Sequence, residues 1–459
     1  MSARAWALLL VLCGAIFLEG IDIAMLAVAI PTIRAELGLS TGTAAWVISG
    51  YVLGYAGFTL LGGRAADLLG RRRMFLSGLV VFIAFSALGG VATEGWMLVV
   101  SRFVTGVASA FMTPASMSII TTSYAEGRQR NRALLIFAGT AAGGFSIGLV
   151  IGGLLTQLGW RWVFYAPVLL AAAILLAAVR LIPTGPPPIR QGGFDLPGAV
   201  TVAGAMLLLT YGIVRLEHGL TQWRMTVAVF VAGLLLLGLF VRVERQSAAP
   251  LVRLGILRQA SVARSDLGAL LLLGGFMGFQ FMVTLYLQDV RGWSSLETSL
   301  TLLVMGIDVM LAPTVTPLLV DRYGSARVII GGFALASVAY ALFLGLGLGS
   351  GYLMMLPTLL LTGAAFALAY GPLTIAATDG VVDEEQGLAG GLLHTATQFG
   401  AAVGIAAVTA VYGWAGGGVD AFRAALVVPL VMALTGLVLA TTGIRRRTRG
   451  PGVASTSGA

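Results

Sequence analysis

The sequence predicts an all-α membrane protein in which fourteen spanning helices form two related halves. Of the 459 residues, 58% are apolar and only 10% are charged, and the mean hydropathy is +0.96. A soluble domain has about a quarter of its residues charged, so the composition excludes that class. A repeat supplies the second observation: GRAADLLGRRR from Gly63 returns in degraded form as VDRYGSAR from Val320, with Asp67 and Asp321 separated by 254 positions.

The apolar runs define the predicted spans. A helix needs about 20 mostly apolar residues to cross a hydrocarbon core about 30 Å thick. Fourteen runs meet this requirement, and we number them span 1 to span 14: 5–31, 42–66, 74–93, 97–121, 132–158, 161–182, 195–217, 223–243, 265–288, 297–320, 325–347, 351–374, 388–413 and 421–444.

The Arg residues predict the orientation. Every one of the 28 basic residues is Arg, and most of them cluster in the loops that share a side with the N-terminus. Cytoplasmic loops of membrane proteins carry this excess of positive charge, so we expect both termini to be cytoplasmic. The opening run is too long for the apolar part of a signal peptide and predicts a first span instead.

Spans 7 and 8 have no counterpart in the repeat, which predicts a division of six, two and six helices. Loops rich in Pro and Arg flank this middle pair and are typical of connections between domains. GFSIG from Gly144 in span 5 is echoed by GAAVG from Gly400 in span 13, although ordinary helix packing also uses GxxxG. The expected parts are an N-terminal bundle (1–182), a two-helix insert with its loops (183–264), a C-terminal bundle (265–444) and a cytoplasmic tail (445–459).

Two acidic residues in span 1 form the first candidate site. Glu19 and Asp22 are three residues apart, so they face the same way. Both repulsion between two carboxylates and burial disfavour the charged form, so one of them is expected to hold a proton near neutral pH. A proton-coupled carrier needs such a group. The alternative is that Glu19 is a neutral packing residue and only Asp22 takes part.

Two further charged residues lie inside spans, where ionisable groups are rare and usually functional. Asp308 lies near the middle of span 10. It is a second proton site, a contact for a cationic substrate, or a solvated acid in a cavity. Arg102 lies inside span 4, and its alternative to a functional role is a side chain that extends to the outer surface.

The repeated hairpin predicts a cytoplasmic gate. Asp67 is expected to pair with Arg on a neighbouring helix end or to cap the start of span 3, so that the halves close on the inside. Positive charge that only sets topology would explain the Arg residues, but it would not explain the acid or the glycines. The gate residues are Gly63, Asp67, Gly70, Arg71, Arg72, Asp321 and Arg322.

Helix phase suggests side chains that line a cavity between the halves. Tyr51, Phe279 and Gln280 fall where spans 2 and 9 should face it, which suits an amphipathic ligand. His394 and Gln398 are one turn apart in span 13 and either line the cavity or belong to the core. The chain has no phosphate-binding GxxxxGK[ST] loop and no HExxH, CxxC or GxSxG motif, so we expect neither ATP-driven transport nor an enzyme.

At these residues the chain resembles the major facilitator superfamily, and within it the fourteen-span drug:proton antiporters. The hairpin matches that family's loop between spans 2 and 3, LEGIDIAMLAVAIP in span 1 matches its acidic motif with Asp22 on the signature acid, and Trp46 and Tyr51 of span 2 stand at the expected places. Further similarity lies in YLQDVRGWS from Tyr286 and in GLAGGLLHTATQFG from Gly387, so the resemblance covers nearly the whole chain.

The resemblance implies a function and several roles. Arg102 would steer protonation of the span 1 carboxylates, and Trp46 would join the cavity. Span 5 matches the family's antiporter motif GxxxGPxxGG except that Leu149 replaces the proline, and this replacement leaves import or symport as an alternative to export. The matching glycines are Gly144, Gly148, Gly152 and Gly153.

The sequence therefore predicts a proton-coupled carrier that exports a hydrophobic or amphipathic small molecule across a bacterial cytoplasmic membrane by alternating access. No cofactor, metal or nucleic acid is expected, and one chain is expected to suffice. The alternatives are a proton symporter, an importer or a uniporter of the same fold and, from a different class, a membrane sensor without transport activity. Substrate identity and proton stoichiometry do not follow from the sequence, because cavity shape depends on how the helices pack.

Overall fold

The computed structural model describes residues 2–39, 41–183, 195–215, 223–247, 250, 252, 254–345, 351–416 and 418–447. Within these ranges every regular element is helical, and fourteen helical spans are long and apolar enough to cross a membrane. The predicted all-α fold with fourteen spans is confirmed. The helices of the N-terminal half are Ala3–Leu37, Thr41–Leu69, Arg71–Gly90, Gly95–Ser123, Arg128–Leu158 and Trp162–Leu181.

The remaining helices complete the predicted count. Span 7 and span 8 are Leu196–Arg215 and Trp223–Gln246, and span 9 is Ala260–Leu285 followed by a π-turn, Tyr286–Val290. Span 10 consists of three parts, Ser295–Leu302, a 3₁₀ segment Leu303–Ile307, and Asp308–Tyr323. Spans 11 to 14 are Ser325–Leu344, Tyr352–Thr378, Gln386–Trp414 and Gly418–Arg447.

The interruption of span 10 is a departure from the continuous helix that hydropathy predicts. The interrupted segment packs closely on span 12. A Cβ atom on Gly363 of span 12 would lie 2.8 Å from the carbonyl carbon of Met305 and 3.0 Å from the side chain of Ile307. The backbones of the two spans touch here, and a short 3₁₀ stretch inside a helix is common where a chain bends or is strained.

The two six-helix groups use the same packing pattern. Span 1 packs on span 5, and span 9 packs on span 13. Span 3 contacts spans 4 and 6, and span 11 contacts spans 12 and 14. The likeness of the two halves, first indicated by the loop repeat, thus extends to how their helices are arranged. The assignment of domain boundaries and the cytoplasmic location of the termini remain predictions.

Glycine allows the closest of these contacts. A Cβ atom on Gly148 would lie 2.8 Å from Cα of Ile21 in span 1, and one on Gly404 would lie 2.6 Å from Cα of Gly274 in span 9. Small residues let helix backbones approach in lipid, where the hydrophobic effect does not hold helices together. The GxxxG sequences of spans 5 and 13 therefore serve packing between helices in both halves.

The inserted pair lies beside the contact between the halves. Span 7 packs on spans 2, 8 and 13. Trp46 of span 2 stacks on Tyr211 of span 7 with ring centroids 5.7 Å apart, and a Cβ atom on Gly57 would lie 2.6 Å from Leu207 of span 7. The insert is thus fitted mainly to span 2 and reaches span 13 at the edge.

Candidate functional site

A buried ion pair joins span 1 to span 4. Arg102 donates a hydrogen bond from Nη1 to Oδ2 of Asp22 at 2.5 Å, and each of the two residues is only 2% exposed. The guanidinium carbon of Arg102 also lies 4.4 Å from the ring centroid of Tyr51 in span 2, within the range of a cation–π interaction. Arg102 therefore points toward the acidic residues of span 1, and its side chain does not extend to the outer surface.

Glu19 lies one turn before Asp22 and has a different environment. Its Oε2 atom accepts hydrogen bonds from the hydroxyls of Tyr55 and Thr113, both at 3.0 Å. The two carboxylates thus share a helix face, but Asp22 is paired with a cation, whereas Glu19 is bonded to neutral hydroxyls. A buried carboxylate without a cation is much more costly when charged than when protonated.

Sequence reasoning missed Tyr55 and Thr113. Tyr55 follows Tyr51 by one helical turn, so their rings lie on one side of span 2 with centroids 5.9 Å apart. That spacing was the available signal for Tyr55. Thr113 offered none, because hydroxyl residues inside a span usually bond to their own helix backbone, and only the packing of span 4 against span 1 reveals its partner.

The predicted cavity side chains separate into different environments. Trp46 stands against the insert, as described above, and Phe279 is fully buried in the C-terminal bundle, 4.8 Å from Tyr340 and 5.1 Å from Phe343 between ring centroids. For Phe279 the structure does not show the predicted cavity position, because neighbouring helices cover the ring. Trp46 is 44% exposed, and its place in a cavity stays a prediction.

The other predicted cavity residues have three different environments. Tyr51 belongs to the charged cluster with Arg102. His394 is 4% exposed and packs edge-on against Phe137 of span 5, which matches the core alternative for this histidine. Gln280 and Gln398 are partly buried.

Asp67 joins the two halves at the end of the bundle that carries the hairpin. Its Oδ1 and Oδ2 atoms accept hydrogen bonds from the backbone N–H groups of Gly387 at 3.1 Å and Leu388 at 2.9 Å. These groups belong to the first turn of span 13, where a carboxylate is stabilised by unpaired N–H groups and by the helix dipole. The predicted cap thus exists, but on span 13 and not on span 3.

Neighbouring residues complete this contact. Arg71 lies 3.4 Å from Oδ1 of Asp67 and donates to the backbone carbonyl of Asp383. Gly63 packs directly on span 13, and a Cβ atom there would lie 3.0 Å from Cα of Gly391. Gly70 forms the turn between spans 2 and 3 with a φ of 103°, a backbone conformation that favours glycine. Arg72 stays within its own half, because it donates to the carbonyl of Val179 at 2.8 Å.

The second copy of the hairpin makes the reciprocal contact. Asp321 at the end of span 10 pairs with Arg128, the first residue of the span 5 helix, at 2.9 Å. Arg130 donates to the backbone carbonyl of Thr378 at the end of span 12 at 3.1 Å, and Arg322 lies over the ring of Tyr323. Each half therefore presents an acid to the first turn of a helix in the other half. Sequence reasoning missed Arg128 and Arg130.

The remaining predicted residues are the glycines of span 5, Leu149 and Asp308. Gly144, Gly148 and Gly152 all pack on span 1, whereas a Cβ atom on Gly153 would meet nothing within 4 Å. The helix passes through Leu149 without a break. Asp308 begins the last part of span 10, but its side chain lies outside the described residues.

The site geometry provides acids, a cation and hydroxyls. Among the described residues there is no group of three or more His, Cys, Asp and Glu side chains that could hold a metal ion. The groups present at spans 1, 2 and 4 are two carboxylates, the hydroxyls around Glu19, and an Arg that balances the charge of Asp22.

Comparison with protein families gives one family model, described as Major Facilitator Superfamily, which matches residues 12–405 and, in a second match, 267–458. A cephamycin export protein of Amycolatopsis lactamdurans is 35% identical over 90% of this chain and 86% of its own length. A puromycin resistance protein of Streptomyces alboniger and a lincomycin resistance protein of Streptomyces lincolnensis are each 32% identical over 89% and 88% of this chain, and over 82% and 84% of their own lengths.

Solved structures show the same fold. A human organic anion transporter superposes with a TM-score of 0.70 over 96% of this chain and 100% of its own, at 16% identity. A proton:xylose symporter gives a TM-score of 0.68 over 97% of this chain and 96% of its own, also at 16% identity. At this level of identity the likeness concerns the fold alone.

Proposed function

This chain belongs to the major facilitator superfamily, and from that premise we propose that it exports an antibiotic-like small molecule in exchange for protons. The chain is a multi-pass transporter of a bacterial cytoplasmic membrane. Its relatives named for cephamycin export and for puromycin and lincomycin resistance support a substrate of similar chemistry, that is, a small amphipathic natural product.

The observation that carries the coupling proposal is the contrast between Asp22 and Glu19. Asp22 is neutralised by Arg102 at 2.5 Å, whereas Glu19 accepts hydrogen bonds from the neutral hydroxyls of Tyr55 and Thr113. In this arrangement Glu19 holds the proton and Asp22 stays ionised. The three groups together then carry no net charge, which is the least costly state for a buried site.

Proton release follows from the same contacts. When the site opens toward the cytoplasm, water solvates Glu19 and favours loss of its proton. The site then carries a net negative charge that attracts a cationic or polarised substrate, or that draws Arg102 away from Asp22. Substrate binding and protonation therefore exclude each other, which is the requirement for exchange.

Asp67 and Asp321 provide the conformational part of the cycle. Both acids connect one half to the first turn of a helix in the other half, and both connections lie at the end predicted to be cytoplasmic. Opening on that side must break them, and closure must restore them. We propose that this pair of connections stabilises the state that faces outward.

The test is substrate-driven proton movement in proteoliposomes with an acidic interior and a trapped pH dye. Puromycin, lincomycin and a cephamycin are added outside in turn. Exchange predicts that uptake of a transported compound raises the interior pH, and that Glu19→Gln abolishes this change. Glu36→Gln is the matched control, because Glu36 is an exposed acid of span 1 that pairs with Arg161 at 2.8 Å.

Three outcomes separate the alternatives. Interior acidification on substrate addition would indicate symport and give weight to Leu149 in place of the proline. Substrate counterflow without any pH change would contradict proton coupling. Absence of counterflow for every compound, with wild-type protein that binds them, would favour a sensor.

A further inference from the structure

A cavity lies in the C-terminal bundle, away from the site at spans 1, 2 and 4. It has a volume of about 420 Å³ and is formed by the start of span 9, the junction of spans 10 and 11, and the ends of spans 12 and 14. These are helix ends that we predict to lie on the cytoplasmic side. The volume is within the range of small-molecule sites, which is about 300–1,000 Å³.

The rim of this cavity is positively charged. Arg264 of span 9 and Arg327 of span 11 line it, with Asp379 as the only acid among its lining residues. The Nε of Arg264 donates to the backbone carbonyl of Ala260 at 2.7 Å, which fixes the direction of the guanidinium. Within the part of the chain that the structure describes, the Arg327 side chain makes no hydrogen bond or ion pair. Two cations against one acid leave the rim with an excess positive charge.

Polar groups that line the cavity together with the two Arg residues suit an anion. Ser265 and Ser325 line the same cavity. Ser325 is the first residue of the 20-residue helix of span 11, and Gly324 before it has no side chain with which to cap that helix. The first N–H groups of a helix and its dipole favour a negative charge at this position.

The floor of the cavity is apolar. Phe333 of span 11, Leu373 of span 12 and Leu439 of span 14 line it below the charged rim. A soluble anion such as phosphate would use the rim and leave this floor without a partner. A ligand with a phosphate and a hydrocarbon chain uses both.

We propose that this cavity binds an anionic phospholipid of the cytoplasmic leaflet, with its phosphate between Arg264 and Arg327 and one acyl chain along the floor. Basic pockets between spanning helices on this side of a membrane hold lipid headgroups in this way. The bound lipid would connect the ends of spans 9, 11, 12 and 14. The proposal does not depend on the substrate or on proton coupling.

The experiment is native mass spectrometry of the purified full chain in detergent, titrated with phosphatidylglycerol or phosphatidylcholine. We expect one phosphatidylglycerol to bind in preference to phosphatidylcholine. Arg264→Gln with Arg327→Gln should weaken phosphatidylglycerol binding about thirty-fold, since each cation near an anionic lipid contributes about 1 kcal/mol. Arg180→Gln is the matched control, because Arg180 is an exposed Arg at the end of span 6 and does not line the cavity.

Two further variants keep the test independent of folding. Arg264→Lys with Arg327→Lys retains the charges and should retain preference for the anionic lipid. Ala440→Phe fills the floor and leaves the rim unchanged, so it should also weaken lipid binding.

Three results would overturn the proposal. The first is equal binding of the two lipids. The second is an effect of Arg180→Gln as large as that of the double variant. The third is displacement of phosphatidylglycerol by millimolar inorganic phosphate together with full binding in Ala440→Phe, which would identify a site for a soluble phosphate.

Discussion

Replacement of Asp22 by Asn tests whether the ion pair with Arg102 is as buried as the structure indicates. The side chain keeps its shape but loses its charge, and Arg102 remains with its side chain only 3% exposed. Removal of one partner of a buried pair costs about 3–5 kcal/mol, because the other charge is left uncompensated. Glu19 lies one turn away and can ionise in compensation, so we expect the lower end, about 3 kcal/mol.

Two companion variants test the expected loss of stability in Asp22→Asn. Asp22→Asn with Arg102→Gln removes both charges, and replacement of a whole buried pair is often close to neutral. We therefore expect it to be more stable than Asp22→Asn alone by about 2 kcal/mol. Glu19→Gln with Asp22→Asn removes both possible counter-charges and should reach the upper end, about 5 kcal/mol.

The assay is the free energy of unfolding from denaturant titration in mixed micelles, followed by Trp fluorescence. Glu36→Gln breaks an exposed pair of the same chemistry and should leave the unfolding curve unchanged. If Asp22→Asn and the double variant with Arg102→Gln unfold with equal free energy, Arg102 is hydrated in the folded protein and the reasoning is wrong.

Three other predictions concern packing and the gate. Asp67→Asn weakens the charged cap on span 13 by about 2 kcal/mol, which favours opening of the gate. A Cys in place of the buried Ala389 of span 13 should then react with a water-soluble maleimide about ten-fold to thirty-fold faster. An unchanged reaction rate would contradict the gate. Gly404→Ala forces a Cβ atom against span 9 and should lower stability by about 1–3 kcal/mol. Gly153→Ala is the control, because a Cβ atom there meets open space and should not lower stability. Equal thermal midpoints of the two variants would argue against the close helix contact. Phe279→Ala should lower stability by about 3–5 kcal/mol and reduce transport of all substrates alike. A variant of wild-type stability with a changed substrate preference would show instead that Phe279 lines the cavity.

The fold was predictable because its signals are local. Each span can be recognised from about 20 consecutive residues. The repeat that contains Asp67 and Asp321 lies in two short segments, which can be recognised without knowing how the helices pack. The interruption of span 10 was not predictable in the same way. It depends on Gly363, a residue of another span, which touches the backbone at Met305.

The candidate site was predictable only in its charges. Asp22 and Arg102 stand out because ionisable residues are rare in spans, and the structure brings them together. Which hydroxyls surround Glu19, and which helix Asp67 caps, depend on contacts between elements far apart in the sequence. Helix phase failed at Phe279 because it describes one helix at a time, whereas burial depends on the neighbours.

The position of span 7 gives the molecule two unequal flanks. Along one flank, where spans 2 and 13 meet, the inserted helix stands over the seam and is stacked on Trp46 through Tyr211. Along the other, spans 5 and 10 meet each other and present exposed apolar side chains such as Leu154 and Met310. The insert therefore covers the seam between the halves on one flank only, and on the opposite flank the seam lies at the outer surface of the helix bundle.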